Sequence, residues 1–249
     1  MPLRLLSRRK KSPENRDRHL EVDGERLSVR VQLHPTSKRI TLRLMPGGDG
    51  LKITMPAHVS DQELDAFLAR NRQWVSVRRA RLPKPMAPDA GQTILYRGVE
   101  HRIERLDRLR GLVEVREIDG EPVLVVPGGE GQLGRKLRDF FKRRARSELD
   151  AAVARHCQAL GVRARQIRIT DTTSRWGSCS TTRTLSFSWR IILAPPEVLD
   201  YLAAHEVAHL REMNHSPRFW SLVRSICPGM ETHKAWLKRN GNRLHAVTL

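Results

Sequence analysis

Apolar and polar residues alternate in three short stretches early in the chain, at residues 27–31, 40–44 and 51–55. A period of two puts every second side chain on one face, so each stretch predicts a β-strand. The run Pro46-Gly47-Gly48-Asp49-Gly50 predicts a turn that joins the last two strands into a hairpin. The period then changes. Ser60, with Glu63 three residues on, has the form of a capping box ahead of Leu64, Phe67, Leu68, Trp74 and Val75, and predicts one helix ending by Pro83. Residues 82–91 form a Pro-rich linker or crossing loop, and short apolar runs at 93–96, 101–103, 112–115 and 123–126, punctuated by glycines, predict four more strands.

Helical spacing returns near residue 131. Leu133, Leu137, Phe140, Phe141, Ala145, Leu149, Ala152 and Val153 predict a long helix closed by Gly161. Residues 166–170 and 184–193 predict two strands, the second stopped by Ala194-Pro195-Pro196. Pro196-Glu197 opens a helix running to about Met213, Asn214 can end it in a left-handed turn, and Ser216-Pro217 opens the next. Cys227-Pro228-Gly229 stops that helix, and a last one covers about 231–240. The class expected is α+β, with a basic disordered tail over 1–19, a β-rich N-terminal domain with one helix over 20–130, and a catalytic domain over 131–249.

Composition narrows the setting. Hydrophobic residues make up 39% and mean hydropathy is −0.51, which suits a soluble, packed chain. No run approaches the roughly 20 apolar residues of a membrane span, so no membrane partner is expected. Cys157, Cys179 and Cys227 cannot all pair and show no CxxC spacing; this argues against a disulfide scaffold or a cysteine-rich zinc site and for a reducing, cytoplasmic location. The Arg-rich, acid-free start also fits a mitochondrial presequence, the alternative to a solvated tail. The formal charge of +19 changes the picture more. Basic residues are spread along the chain, and Lys142, Arg143 and Arg144 crowd the polar side of the long helix, so DNA or RNA held through its phosphates is an expected partner. The competing explanation is a basic solvated surface. Aromatic residues are only 5%, which argues against a base-stacking platform.

The candidate chemistry is concentrated in His205-Glu206-Val207-Ala208-His209, within a stretch of helical apolar spacing. Positions i and i+4 share a helix face, so two imidazoles converge on one side and suit a Zn2+ ion. Glu206 projects beside them, placed to act as general base on a zinc-bound water. The pattern arises by chance roughly 0.02 times in a chain of this composition. A catalytic zinc needs a third protein ligand. His215, six residues on, is the first candidate, and Glu231 and His233 are the competitors. Arg175, Trp176 and Ser178, in Arg175-Trp176-Gly177-Ser178-Cys179-Ser180, are candidates to wall a substrate cleft; a buried Trp anchor is the structural alternative. Cys179 is read as an inert thiol, against a zinc-capping thiolate or a Cys-His nucleophile.

The run from His205 to Trp220, with 175–180 and Leu193-Ala194-Pro195-Pro196, resembles the YgjP-like metallopeptidase family, related to the SprT-like and M48-type zinc peptidases. The resemblance covers roughly residues 20–240. It implies a zincin-like fold, zinc on His205, His209 and His215, Glu206 as general base, and a protein or peptide substrate. SprT-like relatives act on proteins attached to DNA, the same direction as the charge. Zincins commonly hold substrate along a sheet edge beside the metal helix, and residues 184–193 are the candidate edge. The function expected is a zinc-dependent metallopeptidase; the alternatives are a nucleic-acid-associated protein with a structural or vestigial zinc site, and a zinc hydrolase of non-peptide amides.

Overall fold

Alternation in the first third of the chain builds a four-stranded sheet from β1 (Arg16–Val22), β2 (Glu25–Leu33), β3 (Thr41–Leu44) and β4 (Gly50–Met55), in the order β1-β2-β4-β3. In the computed structural model, which describes residues 16–45, 48–82, 86–108, 110–129, 131–172 and 175–249, Leu27, Val29 and Val31 of β2 are buried while the residues between them face solvent. They pack with Leu51, Ile53 and Met55 of β4 against Leu64, Leu68 and Val75 of helices α1 (Asp61–Arg70) and α2 (Arg72–Ala80). The capping box forms: Ser60 accepts from the Glu63 backbone N–H, and the Glu63 carboxylate accepts from the Ser60 N–H at 2.8 Å. The single helix expected here breaks at Asn71, whose side-chain N–H donates to the Phe67 carbonyl at 2.8 Å.

The disordered tail expected over 1–19 is corrected in part. Residues 16–19 belong to β1, paired along its length with β2, and Arg18 bonds Asp61 at 2.8 Å and Asp65 of α1. Among the described side chains of this edge strand, Leu20 and Val22 reach the core, so its alternation is too faint to read. Residues 1–15, Pro46 and Gly47 of the expected turn and 83–85 of the expected linker lie outside the described residues.

The chain divides into two compact units, Met1–Leu82 and Pro83–Leu249. The second opens with β5 (Thr93–Tyr96), β6 (Val99–Leu106), β7 (Glu114–Ile118) and β8 (Glu121–Pro127), ordered β5-β6-β8-β7. Its outer pairs are antiparallel and its central pair parallel, the wiring of the first sheet over again. The boundary expected at 130/131 therefore lies inside a unit. Tyr96 packs its ring on Phe140 and Phe141 of α3 (Leu133–Leu160), and the Arg97 and Gly98 N–H groups donate to the Ile192 and Leu193 carbonyls. Gly98, at φ +79°, lies so close to Pro195 that a Cβ would come within 2.7 Å of it. Helix α3 ends at Gly161 in the left-handed conformation, as its sequence suggests.

A three-stranded sheet of β9 (Gln166–Thr170), β10 (Gly177–Cys179) and β11 (Thr184–Ser188) has the order β10-β11-β9. The strand expected over 184–193 stops at Ser188, and Trp189–Leu193 winds into a 3-10 turn with all five residues buried. In a strand, Arg190 would share a face with Ser188 and Ile192. In the turn its guanidinium instead reaches the Val247 carbonyl at 2.9 Å and pairs with Asp171. Because β11 is central, the sheet edge on this side is β10. Three helices close the unit: α4 (Pro196–Ala208), α5 (Pro217–Ile226) and α6 (Met230–His245).

Candidate metal centre

Helix α4 starts on a proline at its first position and is apolar almost all round, with Val198, Leu199, Leu202, Ala203, Ala204, Val207 and Ala208 buried. His205 and Glu206 interrupt that apolar surface in its last turn. The helix stops at Ala208, so His209 is its C-cap. The His209 Nδ1–H donates to the Glu212 carbonyl at 3.0 Å, which leaves Nε2 with a free lone pair. The chain turns back over residues 209–214. Asn214 is not left-handed there; its side-chain oxygen accepts from the Ser216 N–H at 3.0 Å, and Ser216 caps α5 by accepting from Phe219.

This turn brings His215 to the other two imidazoles, and the ligand nitrogens of His205, His209 and His215 lie within 4.8 Å of one another. The Nε2 atoms of His205 and His215 are 3.2 Å apart. Two nitrogens on a tetrahedral zinc with bonds of 2.0–2.1 Å are separated by about 3.3 Å, so the donor set fits such an ion. Phe219 is fully buried beneath all three rings, at centroid distances of 4.9, 4.4 and 4.8 Å, and Trp220 stacks on His215 at 5.5 Å. The competing third ligands lie elsewhere. Glu231 pairs with Arg224 and Lys234, and His233 lines a separate cavity with Arg155, Glu197 and Asp200.

Glu206 is 4% exposed, and its Oε2 has no partner among the described residues. Burial pushes the carboxyl up to about 8, against the opposing charge of Arg175. Gly177 explains how a carboxylate fits there: a Cβ at that position would stand 2.3 Å from Glu206 Oε1. Cys179 shares the face of β10 with Gly177, and Ser178 between them points the other way. Burial, then the Glu206 charge, lifts the Cys179 thiol to about 11, so it is a neutral thiol. Trp176 stacks on His245 at 3.8 Å. Gly177 and Phe219 are the site residues whose roles the sequence does not announce; the tight WGS run and the aromatic pair after His215 are their only traces.

Lys142, Arg143 and Arg144 lie on α3, with Arg143 and Arg144 exposed and Arg144 over the Phe140 ring at 5.6 Å. Neighbouring cations of the same helix are engaged internally: Arg138 with the Leu249 carbonyl, Arg146 with Asp150. Nothing in these contacts supports the expected nucleic-acid partner.

Three imidazoles converge beside a buried carboxylate, a donor set of the kind that metal-dependent hydrolases use. The model of the YgjP-like metallopeptidase domain matches residues 38–240, and the chain belongs to that family. Among curated proteins none matches. Two crystal structures are similar over part of the chain. The metallopeptidase zymogen abylysin of Pyrococcus abyssi is 23% identical, covering 41% of this chain and 99% of its own, with a TM-score of 0.35. The zymogen of jannalysin from Methanocaldococcus jannaschii is 23% identical, covering 36% and 96%, with a TM-score of 0.31. Among the described residues, no helix is long and apolar enough to cross a membrane.

Proposed function

We propose that this chain is a zinc-dependent, zincin-like metallopeptidase in which Glu206 is the general base. The observation that carries this is the buried Glu206 carboxylate, one residue after His205 on the helix that also supplies His209, with His215 folded back to close the triad. His205, His209 and His215 would hold the metal. Bound there, zinc would supply a Lewis acid that makes water acidic and polarises a peptide carbonyl. Glu206 Oε, raised in basicity by burial, takes the proton of the attacking water and returns it to the departing amine nitrogen. The Glu212 carbonyl fixes the His209 tautomer, and Gly177 leaves the space the carboxylate occupies. Three free cysteines accord with a reducing, cytoplasmic setting.

The test is a pair of variants. Glu206→Gln should keep about one zinc per chain and lose about 10²-fold or more of casein hydrolysis. His209→Ala should lose the metal by elemental analysis. Full turnover by zinc-loaded Glu206→Gln removes Glu206 from the reaction, and a wild-type protein that binds zinc but cleaves only non-peptide amides redirects the substrate.

A further inference from the structure

A slot of about 330 Å3 opens between α4 and α6. Its walls are Trp176, Tyr201 and Leu237, and two cations of α6, Lys234 and Lys238, stand one helical turn apart along its rim. Three of the lining residues neighbour the three-histidine site. Tyr201 lies one turn before His205, with ring centroids 6.1 Å apart. Trp176 immediately precedes Gly177, which packs on Glu206. The Lys234 ammonium sits 4.0 Å from the centre of the Trp220 ring, which in turn stacks on His215. A group in this slot is therefore a near neighbour of the reacting bond.

Apart from the Asn242 amide, which both donates and accepts, the polar side chains lining the slot offer N–H or O–H donors. Neither the Tyr201 hydroxyl nor the Trp176 indole N–H has a hydrogen-bond partner among the described residues, and Lys238 has no ion-pair partner among them. Two carboxylates, Glu231 and Glu206, lie close enough to act on Tyr201; Glu231 lies 3.7 Å from Lys234 and is shared with Arg224. Trp176 is held in place from behind by the stacked His245 ring, and Gly241 fits against its indole, where a Cβ would stand 3.1 Å from Nε1. A preformed pocket with apolar walls, two neutral N–H or O–H donors and two ammonium groups suits an anion with an alkyl stem.

We propose that this slot is a substrate subsite that receives a carboxylate next to the scissile bond. The carboxylate belongs to an Asp or Glu side chain or to the C-terminus of the peptide. The assignment rests on the peptidase reading but is read by binding, so the two fail separately.

The experiment uses three dye-labelled peptides of one sequence: an internal Glu with an amidated end, an internal Gln with a free carboxyl end, and an internal Gln with an amidated end. Fluorescence anisotropy on full-length, zinc-loaded Glu206→Gln protein measures binding without turnover. At least one acidic peptide should bind about fivefold more tightly than the neutral one, the size expected of partly exposed charge pairs. Which acidic peptide wins distinguishes a side-chain carboxylate from a chain terminus. Lys238→Glu, added to that protein, should abolish the preference while metal content stays unchanged. Equal binding of all three peptides, binding of none, or a preference that survives both Lys238→Glu and Lys234→Gln overturns the subsite. Continued turnover by Glu206→Gln would overturn the base instead and leave this result standing.

Discussion

At the scale of single residues, the tightest constraint at the centre is a missing side chain. A methyl group on Gly177 would overlap the Glu206 carboxylate, with Cδ and Cγ also at 2.8 Å. On the proposed mechanism, Gly177→Ala should leave fold and metal content intact yet lower turnover about 10²-fold, because the Glu206 carboxylate is pushed out of position while the three imidazoles are not. Parallel measurement of kcat and bound zinc checks this; a fully active alanine variant would show that the carboxylate works from elsewhere. The His205–Glu206–His209 grouping is legible in the sequence because helix periodicity alone brings i and i+4 together. The part played by Gly177 is not, since its partner is 29 residues along the chain and the contact exists only once β10 lies on α4. Phe219 is hidden for the same reason: a buried aromatic reads as core, and here it is the floor under three imidazoles.

At the scale of elements, caps carry information that the hydrophobic pattern lacks. Ser60 with Glu63 and Ser216 before Pro217 both mark helix starts in the sequence, and both form the expected bonds. Ser216 follows His215 directly, so the start of α5 and the arrival of the third imidazole are one local event. Ser216→Ala should cost about 1 kcal/mol, near 3 °C in melting temperature. It should also weaken zinc affinity, measured by competition with a chelator; unchanged affinity would mean that His215 is held by Phe219 and Trp220 alone. The 3-10 turn at Trp189–Leu193 was not legible, because the period-two alternation of Leu185 and Phe187 carries on through Trp189 and Ile191 and reads as one continued strand. Its geometry depends on Asp171, which accepts from the Trp189 indole N–H at 2.9 Å and pairs with Arg190.

At the scale of the whole molecule, the two largest hydrophobic cores among the described residues share no residue. One is built from residues of Met1–Leu82, and the other joins the second four-stranded sheet to α3 and α4. A fragment spanning residues 86–249 should therefore melt cooperatively and bind one zinc, as checked by circular dichroism and elemental analysis; a fragment that stays unfolded would show that the two cores depend on each other. The α+β class was legible, and 82–91 read as a Pro-rich linker or crossing loop, but the boundary was expected at 130/131, because nothing in the strands at 93–127 reveals that Tyr96 will lie on Phe140 and Phe141. The Met86 N–H donates to the Ala246 carbonyl at 2.8 Å, and the Thr248 N–H to the Met86 carbonyl at 2.9 Å. The second unit thus holds residue 86, near its start, side by side with residues 246–248. Such a module is portable: it can be spliced into a surface loop of an unrelated host, or its neighbours exchanged in evolution, without rethreading any strand inside it.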